Sequence, residues 1–403
     1  VPIVGTALDD DGNLMPGVVD SAAPWADQLQ AVRERLITQG LDAATTEQVV
    51  ADYARRVADD AFDAFVNAQP RPVLLAGVSA VWNDAGPALR GLAERLGAPV
   101  VVAPMAKGIL PETHPLYAGT LDMACNGFVW DFLRGADLLL AVGFDAVELI
   151  KPWSLKVPTI HIDTVPNTDQ VFAADTEIVG DITMIVDAIA VAGTGASRFT
   201  HAELAAHRAR LRELYRAGRV AGHLNPSDVV DAVRAAMPAD TLVTTDVGSH
   251  KLLVGQGWTT HAPRGMLMTN GLSSMGFSLP AAITAKLICP DRPVVCFTGD
   301  GGLAMVQGEL RVAASLKVAP IVVVFCDNSL NRIELKQMAR KYPSWGTRID
   351  ATDIALLAQA TGCDGVNVDS LRGLEAALAA PRSIDRPLVI GATIDPAQYA
   401  AQF

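Results

Sequence analysis

The residues best suited to chemistry lie toward the C-terminus, where two apolar runs each end in a carboxylate. Val294–Thr298 precedes Gly299-Asp300-Gly301-Gly302, and Ile321–Cys326 precedes Asp327. Both runs are typical of buried strands, and the carboxyl ends of adjacent parallel strands meet at one edge of a sheet. Two carboxylates at such an edge suit a hard cation such as Mg²⁺ or Ca²⁺, which also accepts phosphate oxygens and water as ligands.

The glycines around Asp300 indicate what else binds there. Without side chains they let backbone N–H groups approach a phosphate, and a helix predicted over Gln307–Leu316 favours its negative charge. We therefore predict a phosphate-bound metal held by Asp300, Asp327 and the backbone carbonyl of Ser329. Asn328 is the alternative to Asp327 if the register slips by one residue.

Two upstream motifs extend this pattern. Thr245-Asp246-Val247-Gly248-Ser249-His250 follows a predicted strand, and Gly271–Ala282 contains Ser273 and Met275 in a loop rich in small residues. Together with the Gly-Asp-Gly turn, these motifs resemble the thiamine-diphosphate-dependent enzymes of the acetolactate synthase and 2-oxo acid decarboxylase superfamily. That family's signature closes on Asn-Asn or Asn-Asp, and here Cys326 and Asp327 take those places. A further match, Lys107–Gly119, resembles the family's central-domain signature, so the resemblance covers about residues 70–395.

The resemblance implies a role for each matching residue. Ser249 and His250 would bind terminal phosphate oxygens, and Met275 would lie under the thiamine and hold it bent. The residues expected to bind the cofactor are Gly248, Ser249, His250, Ser273, Met275, Gly299, Asp300, Gly301, Gly302, Asp327, Ser329, Leu330 and Asn331. Of these, Asp300, Asp327 and Ser329 are also expected to hold the metal.

The elements that must position these residues predict an α/β fold. Apolar strands alternate with helices in two series, which indicates two doubly wound, mainly parallel-sheet domains with helices on both faces. We expect a connecting segment at 1–70, a central domain at 71–191, a linker at 192–210 and a diphosphate-binding domain at 211–403. The connecting segment would be a linker or the end of a missing N-terminal pyrimidine-binding domain.

Composition excludes several classes of partner. The chain has 403 residues and a net charge of −12, which argues against nucleic acid or an anionic membrane as a partner. No apolar stretch is long enough to span a bilayer, and no signal peptide is visible. The five scattered cysteines form no Cys-x-x-Cys pair, so we expect a reducing, cytoplasmic location and no metal–thiolate site.

The resemblance also predicts something that the chain does not supply. The family's activating glutamate lies in the pyrimidine-binding domain, and no glutamate in residues 1–70 stands in a matching pattern. Glu34 and Glu47 are better interpreted as solvated charges on helices. The catalytic residue is therefore unknown, and we expect turnover to need a pyrimidine-binding domain or subunit within a homo-oligomer.

The resemblance implies a thiamine diphosphate- and Mg²⁺-dependent lyase or transferase acting on small 2-oxo acids or aldehydes. Decarboxylation followed by carboligation, as in acetolactate synthase, is the first interpretation. A non-oxidative decarboxylase and a cofactor-binding subunit inactive on its own are the alternatives. A dinucleotide-dependent oxidoreductase is disfavoured because no Gly-x-Gly-x-x-Gly follows a strand.

Two departures from acetolactate synthases argue against bound FAD and against a direct assignment to the anabolic synthases. Gly143-Phe144-Asp145-Ala146 replaces the flavin-contacting Arg-Phe-Asp-Asp, so bound FAD is doubtful. The tryptophan that anabolic synthases carry after the metal motif has Trp345 as its nearest counterpart, in a different context.

Overall fold

The computed structural model describes residues 25–38, 40–51, 71–167, 171–172, 174–192 and 197–402. The strands are β1 Pro72–Ala76, β2 Val100–Val102, β3 Tyr117–Thr120, β4 Leu138–Val142, β5 Thr159–Asp163, β6 Thr176–Val179, β7 Leu242–Thr245, β8 Met266–Met268, β9 Val294–Gly299, β10 Ile321–Cys326, β11 Asp364–Val368 and β12 Leu388–Thr393. The helices are α1 Trp25–Thr38, α2 at 43–51, α3 Val78–Trp82, α4 Gly86–Leu96, α5 Asn126–Arg134, α6 Ile182–Ala192, α7 His201–Tyr215, α8 Pro226–Ala236, α9 Ser249–Gly257, α10 Ser278–Ile288, α11 Asp300–Val306, α12 Glu309–Ser315, α13 Asn331–Ala339, α14 Ile354–Ala360 and α15 Leu371–Ala379.

The strands form two six-stranded parallel sheets with helices around them. The first sheet has the order β3-β2-β1-β4-β5-β6, and the second has the order β11-β12-β10-β9-β7-β8. Strands β1 and β4 are buried along their whole length, as continuous apolar runs in a sheet covered on both faces require. The predicted α/β fold of two doubly wound domains is confirmed.

The first sheet has the strand order of dinucleotide-binding domains, but its first turn is built differently. A Cβ at Gly77 would lie 2.3 Å from the Gly143 carbonyl oxygen, and Ser79 N–H donates to that oxygen at 3.0 Å. Gly77 is therefore needed because the turn after β1 packs closely against the turn after β4. No Gly-rich phosphate loop follows it. The prediction against FAD stays a prediction.

In the second sheet, the strand order reverses beside β7. Strand β8 pairs with one edge of β7, and β9 pairs with the other. In open α/β sheets, ligands bind outside the carboxyl ends of the strands at such a reversal. The turns after β7 and β9 are therefore the places where this sheet can receive a ligand.

The helix predicted over Gln307–Leu316 is confirmed as α12, Glu309–Ser315. A further helix that was not predicted, α11, precedes it and begins at Asp300 itself. Helix α8 begins with a capping box, in which the Asn225 N–H donates to Asp228 Oδ2 at 3.1 Å. Such a capping box satisfies N–H groups that a helix start leaves unpaired.

By their contacts, the described residues fall into two compact units. The first lies within 1–101, 132–146 and 152–204, and the second within 102–131, 147–151 and 205–403. The predicted domain limits of 71–191 and 211–403 stay predictions. Most of the connecting segment and residues 193–196 of the linker lie outside the described residues. Among the helices that are described, none is long and apolar enough to cross a membrane.

A buried ion pair lies in the second unit, within the Lys107–Gly119 motif. Lys107 Nζ lies 2.5 Å from Glu112 Oε1, and both side chains are almost wholly inaccessible. Burial lowers the pKa of Lys107 and raises that of Glu112, and each charge partly reverses the shift of the other. Glu112 N–H also donates to the Thr260 carbonyl oxygen at 3.1 Å, so the pair is part of the packing of this motif.

Lys107→Met should destabilise the protein by about 3–5 kcal/mol, because it leaves the Glu112 charge buried without its partner. The double variant Lys107→Met/Glu112→Leu should recover most of the loss, since it removes both charges. Denaturant unfolding of the two variants and the parent checks this. Equal stability of Lys107→Met and the parent would contradict it.

Candidate functional site

The carboxyl edge of the second sheet encloses a cavity of about 240 Å³, and every residue lining it belongs to the second unit. All the residues predicted to bind the cofactor line this cavity, with the single exception of Ser273. They are Gly248, Ser249, His250, Met275, Gly299, Asp300, Gly301, Gly302, Asp327, Ser329, Leu330 and Asn331. The structure thus brings together residues that are up to 83 positions apart, from Gly248 to Asn331.

Three helix N-termini converge on this cavity. Helices α9, α11 and α13 begin at Ser249, Asp300 and Asn331, and all three of these residues line it. None of the three helices has a side-chain hydrogen bond at its N-cap. In α11 the Gly301 N–H donates to Asp300 Oδ1 at 2.7 Å, whereas the starts of α9 and α13 leave backbone N–H groups for a ligand, and the helix dipoles favour an anion.

The two predicted carboxylates are joined through the backbone. Strands β9 and β10 pair with Gly299 opposite Phe325, so both strands end at the same level. Asp300 Oδ2 accepts the N–H groups of Asp327 at 3.1 Å and Asn328 at 2.8 Å. Because of this bond, the turn after β10 is held against the first turn of α11.

This proximity has an electrostatic cost. Burial raises the pKa of Asp327 to about 7, and the nearby charge of Asp300 adds to the shift. Burial also raises the pKa of Asp300, although three backbone N–H groups that it accepts oppose this. A cation would stabilise the ionised state of these two half-buried carboxylates, since burial raises the pKa of both and the Asp300 charge raises that of Asp327 further.

The donor set fits a hard divalent cation that retains phosphate and water ligands. It provides two carboxylates from adjacent strand ends, beside the buried Ser329. Within the described part of the chain, no cluster of three or more His, Cys, Asp or Glu side chains could hold a metal. The protein would therefore supply only part of the coordination shell, which is the usual arrangement for Mg²⁺ bound with a substrate or cofactor phosphate.

Asp246, which was not predicted as a site residue, connects three segments of the cavity wall. It is fully buried, and its Oδ2 accepts the N–H of Gly276 at 2.6 Å and the hydroxyl of Thr298 at 3.4 Å. Its Oδ1 lies 3.3 Å from His250 Nε2. With Nε2 facing Asp246, Nδ1 is the ring nitrogen that remains to meet a ligand.

The glycines of the cavity wall are required by close approach. A Cβ at Gly248 would lie 2.5 Å from His250 Nδ1, and one at Gly302 would lie 2.9 Å from Asp246 Oδ2. At Gly301 the added atom would reach the Leu330 side chain at 2.9 Å and the Met275 methyl at 3.5 Å. The end of the Met275 side chain therefore lies over the Gly-Asp-Gly turn, on the floor of the cavity.

Three residues considered from the sequence lie elsewhere. Ser273 and Asn328 do not line the cavity, and both have a positive φ in the turns next to Met275 and Asp327. Asn328 serves the site through its N–H, which Asp300 accepts. Trp345 is 82% exposed, and its backbone is hydrogen-bonded to the Gln337 side chain.

The structure also adds residues to the cavity that sequence reasoning did not single out. They are Val247, Phe325, Arg332, Ile333, Lys336 and Tyr399. Arg332, Ile333 and Lys336 could have been found by helical periodicity after Asn331, because positions i, i+1 and i+4 of a helix lie near one face. Tyr399 lies in the C-terminal 3₁₀ turn Pro396–Ala401, and no local sequence pattern predicts that it lines the cavity.

Comparison with known families agrees with this geometry. The central-domain model of thiamine pyrophosphate enzymes matches residues 58–189, and the model of their C-terminal TPP-binding domain matches residues 246–392. The chain belongs to the thiamine-diphosphate-dependent enzymes. The second match begins at Asp246 and includes every residue of the Gly-Asp-Gly turn and of the strand end that follows it.

Individual relatives in this superfamily have different reactions. A probable 2-ketoarginine decarboxylase of Pseudomonas aeruginosa is 33% identical over 316 residues, which is 77% of this chain and 56% of the relative. The catabolic acetolactate synthase of Raoultella terrigena is 29% identical over 304 residues, 72% of this chain and 53% of the enzyme. The large subunit of acetolactate synthase isozyme 1 of Escherichia coli is 30% identical over 279 residues, 68% and 49% respectively. The chain thus spans about half the length of these relatives.

Asp246→Ala should lower the free energy of unfolding by about 1–3 kcal/mol, because it leaves the buried Gly276 N–H without its acceptor. It should also weaken binding of thiamine diphosphate, since His250 and the Met275 loop lose their common anchor. Asp246→Asn, which retains one acceptor oxygen, is the matched control and should lose less of both. Denaturant unfolding and calorimetric titration measure the two effects, and unchanged cofactor affinity in Asp246→Ala would contradict the second.

Proposed function

We propose that this chain binds thiamine diphosphate through Mg²⁺ and acts as a lyase or transferase on 2-oxo acids. The observation that carries the proposal is the convergence of three uncapped helix N-termini on a cavity that also holds a carboxylate pair. The first feature suits a diphosphate, and the second suits the cation that accompanies it. Membership of the family supports the same cofactor.

The residues of the chain would divide the work of holding the cofactor. Asp300, Asp327 and the Ser329 carbonyl would hold the cation, and Ser249 and His250 would meet the terminal phosphate. The Ser249 hydroxyl donates to Asn331 Oδ1 at 2.7 Å, so these two side chains lie together where α9 and α13 begin. Met275 would support the thiamine from below and exclude water there. Thiamine diphosphate supplies an electron sink for loss of carbon dioxide from a 2-oxo acid.

The finer reaction is proposed in two forms. Carboligation after decarboxylation is supported by the acetolactate synthases among the relatives. Non-oxidative decarboxylation is supported by the probable 2-ketoarginine decarboxylase, which at 33% is more similar in sequence to this chain than the two acetolactate synthases described above. Pyruvate supplied to the complete enzyme separates them, since the first gives acetolactate and the second gives acetaldehyde.

Asp300→Asn and Asp327→Asn should each weaken Mg²⁺-dependent binding of thiamine diphosphate. The loss should exceed the ~10–100-fold that follows removal of an outer partner of a metal ligand, because here the ligand charge itself is removed. Calorimetric titration of thiamine diphosphate with and without Mg²⁺ measures this. Asp364→Asn, a change of the same type on β11 away from the cavity, is the control.

Unchanged affinity in both cavity variants would show that the cation lies elsewhere. Loss of affinity without any dependence on Mg²⁺ would mean that the carboxylates support the fold rather than a metal.

We further propose that a pyrimidine-binding domain, on another polypeptide or another part of the protein, completes the site within a homo-oligomer. Among the described residues that line the cavity, no glutamate is present that could meet the aminopyrimidine. The surface beside Met275 is apolar and accessible, with Leu272 98% exposed and Met305 63% exposed. Exposed apolar area of this kind is typical of a surface that a partner covers. The five free cysteines support the proposed reducing, cytoplasmic location.

This chain with thiamine diphosphate and Mg²⁺ should release carbon dioxide from pyruvate no faster than free thiamine does. A polypeptide carrying a pyrimidine-binding domain should raise the rate by at least ~10²–10⁴-fold, the usual contribution of a positioned acid or base. A coupled assay with and without that polypeptide measures this, and sedimentation of the same mixtures should show a larger assembly. Fast turnover by the chain alone would show that its own residues supply the activating carboxylate.

A further inference from the structure

One face of helix α13 packs against a neighbouring loop, and another face lines the cofactor cavity. Glu334 is buried and accepts the Ser329 hydroxyl at 2.6 Å and Arg348 Nη2 at 2.9 Å, which fixes the helix to the neighbouring loop. Arg332 and Lys336, four residues apart and so on one face, line the cofactor cavity instead. The helix therefore presents two cations to the cavity while its opposite face is held by the protein.

Arg332 also lines a second cavity. This cavity has a volume of about 390 Å³, and its other charged lining residues are Asp122 and Lys151. No residue predicted to bind the diphosphate or the metal lines it. Arg332 therefore lies between the cofactor cavity and this second cavity, which could receive another group.

The charge of this second cavity is biased toward cations. Asp122 accepts the N–H of Lys151 at 2.8 Å, the N–H of Ile150, and Asn126 Nδ2 at 2.6 Å. Among the described residues, Asp122 is the one carboxylate of this wall, against the cations Lys151 and Arg332, and its charge interacts with Arg332 and with the buried Lys251. A carboxylate or another anion placed here would be attracted, whereas a cation would be repelled.

We propose that Arg332, assisted by Lys336, selects a 2-oxo acid with a second anionic group at the far end of its carbon chain. This inference rests on the proposed function. The diphosphate end already has three helix N-termini, Ser249, His250 and a cation, so it does not need these side chains. Arg is the side chain best suited to this role, because its planar guanidinium remains charged and binds a carboxylate through two N–H groups.

The proposal separates this chain from one of its relatives. The substrate named for the Pseudomonas aeruginosa relative carries a guanidinium group. In the cofactor cavity, which both side chains line, such a group would meet the like charges of Arg332 and Lys336, and like charges at close range in a half-buried site repel strongly. The chemistry of α13 therefore favours a dianionic 2-oxo acid over a cationic one, whichever of the two proposed reactions follows.

The test uses three 2-oxo acids of similar length and different charge: 2-oxoglutarate, 2-oxohexanoate and 2-oxo-5-guanidinopentanoate. Binding of each to the full chain, saturated with thiamine diphosphate and Mg²⁺, is measured by calorimetry, and kcat/KM is measured after a pyrimidine-binding domain is added. We expect 2-oxoglutarate to bind at least about tenfold more tightly than either of the others. Arg332→Met should reduce this preference to about twofold or less and leave the affinity for thiamine diphosphate within about twofold.

Two further variants keep the test decisive. Lys336→Met changes an exposed residue and should lower the preference by a smaller factor without any effect on folding. Arg340→Met removes an exposed cation just after the same helix, outside the cavity, and should change nothing. Equal binding of 2-oxoglutarate and 2-oxohexanoate would overturn the proposal. A loss of thiamine diphosphate affinity in Arg332→Met, with the preference retained, would overturn it by showing that the cations serve the diphosphate. Failure of the parent chain to bind thiamine diphosphate would instead overturn the proposed function.

Discussion

The parallel register of β9 and β10 sets Gly299 opposite Phe325, and the rest of the site depends on that pairing. Because both strands end at one level, Asp300 can accept the N–H groups of Asp327 and Asn328, and two carboxylates are brought close together. Burial, together with the Asp300 charge, raises the pKa of Asp327 to about 7 and so disfavours the state in which both carboxylates are ionised. A bound cation, as proposed above, would offset this repulsion.

A protein with a net charge of −12 attracts an anion only by local means. Here those means are oriented backbone N–H groups at the starts of α9, α11 and α13, none of which has a side-chain hydrogen bond at its N-cap. Asp246 contacts His250 in the first turn of α9, and it also accepts the Thr298 hydroxyl just before α11 and the Gly276 N–H. The buried Asp246 carboxylate thus positions residues of the proposed anion site. Its negative charge does not prevent anion binding there, because hydrogen-bond donors occupy its oxygens.

Sequence reasoning located the strands well and the loops less well. Continuous apolar runs have few alternatives in an α/β chain, so Ile321–Cys326 matches β10 at both ends and Val294–Thr298 matches β9 to within one residue. The start of α11 at Asp300 was missed, because glycines in a first helical turn are read locally as a loop. Asp246 and Tyr399 escaped notice since their roles depend on contacts between segments far apart in the chain. Ser273 was included by its position in a motif, whereas the local turn keeps it out of the cavity wall.

In the proposed assignment, the first turn of α13 serves cofactor binding and the next turn serves substrate choice. Its first residue, Asn331, meets the start of α9 through Ser249, so the N-terminus is tied to the diphosphate end. One turn further, Lys336 lines the same cavity without any bond to that network, and Arg332 lies between the two and reaches the second cavity. Substitutions in the second turn can therefore alter the charge that a substrate meets while the helix start and its N–H groups stay unchanged.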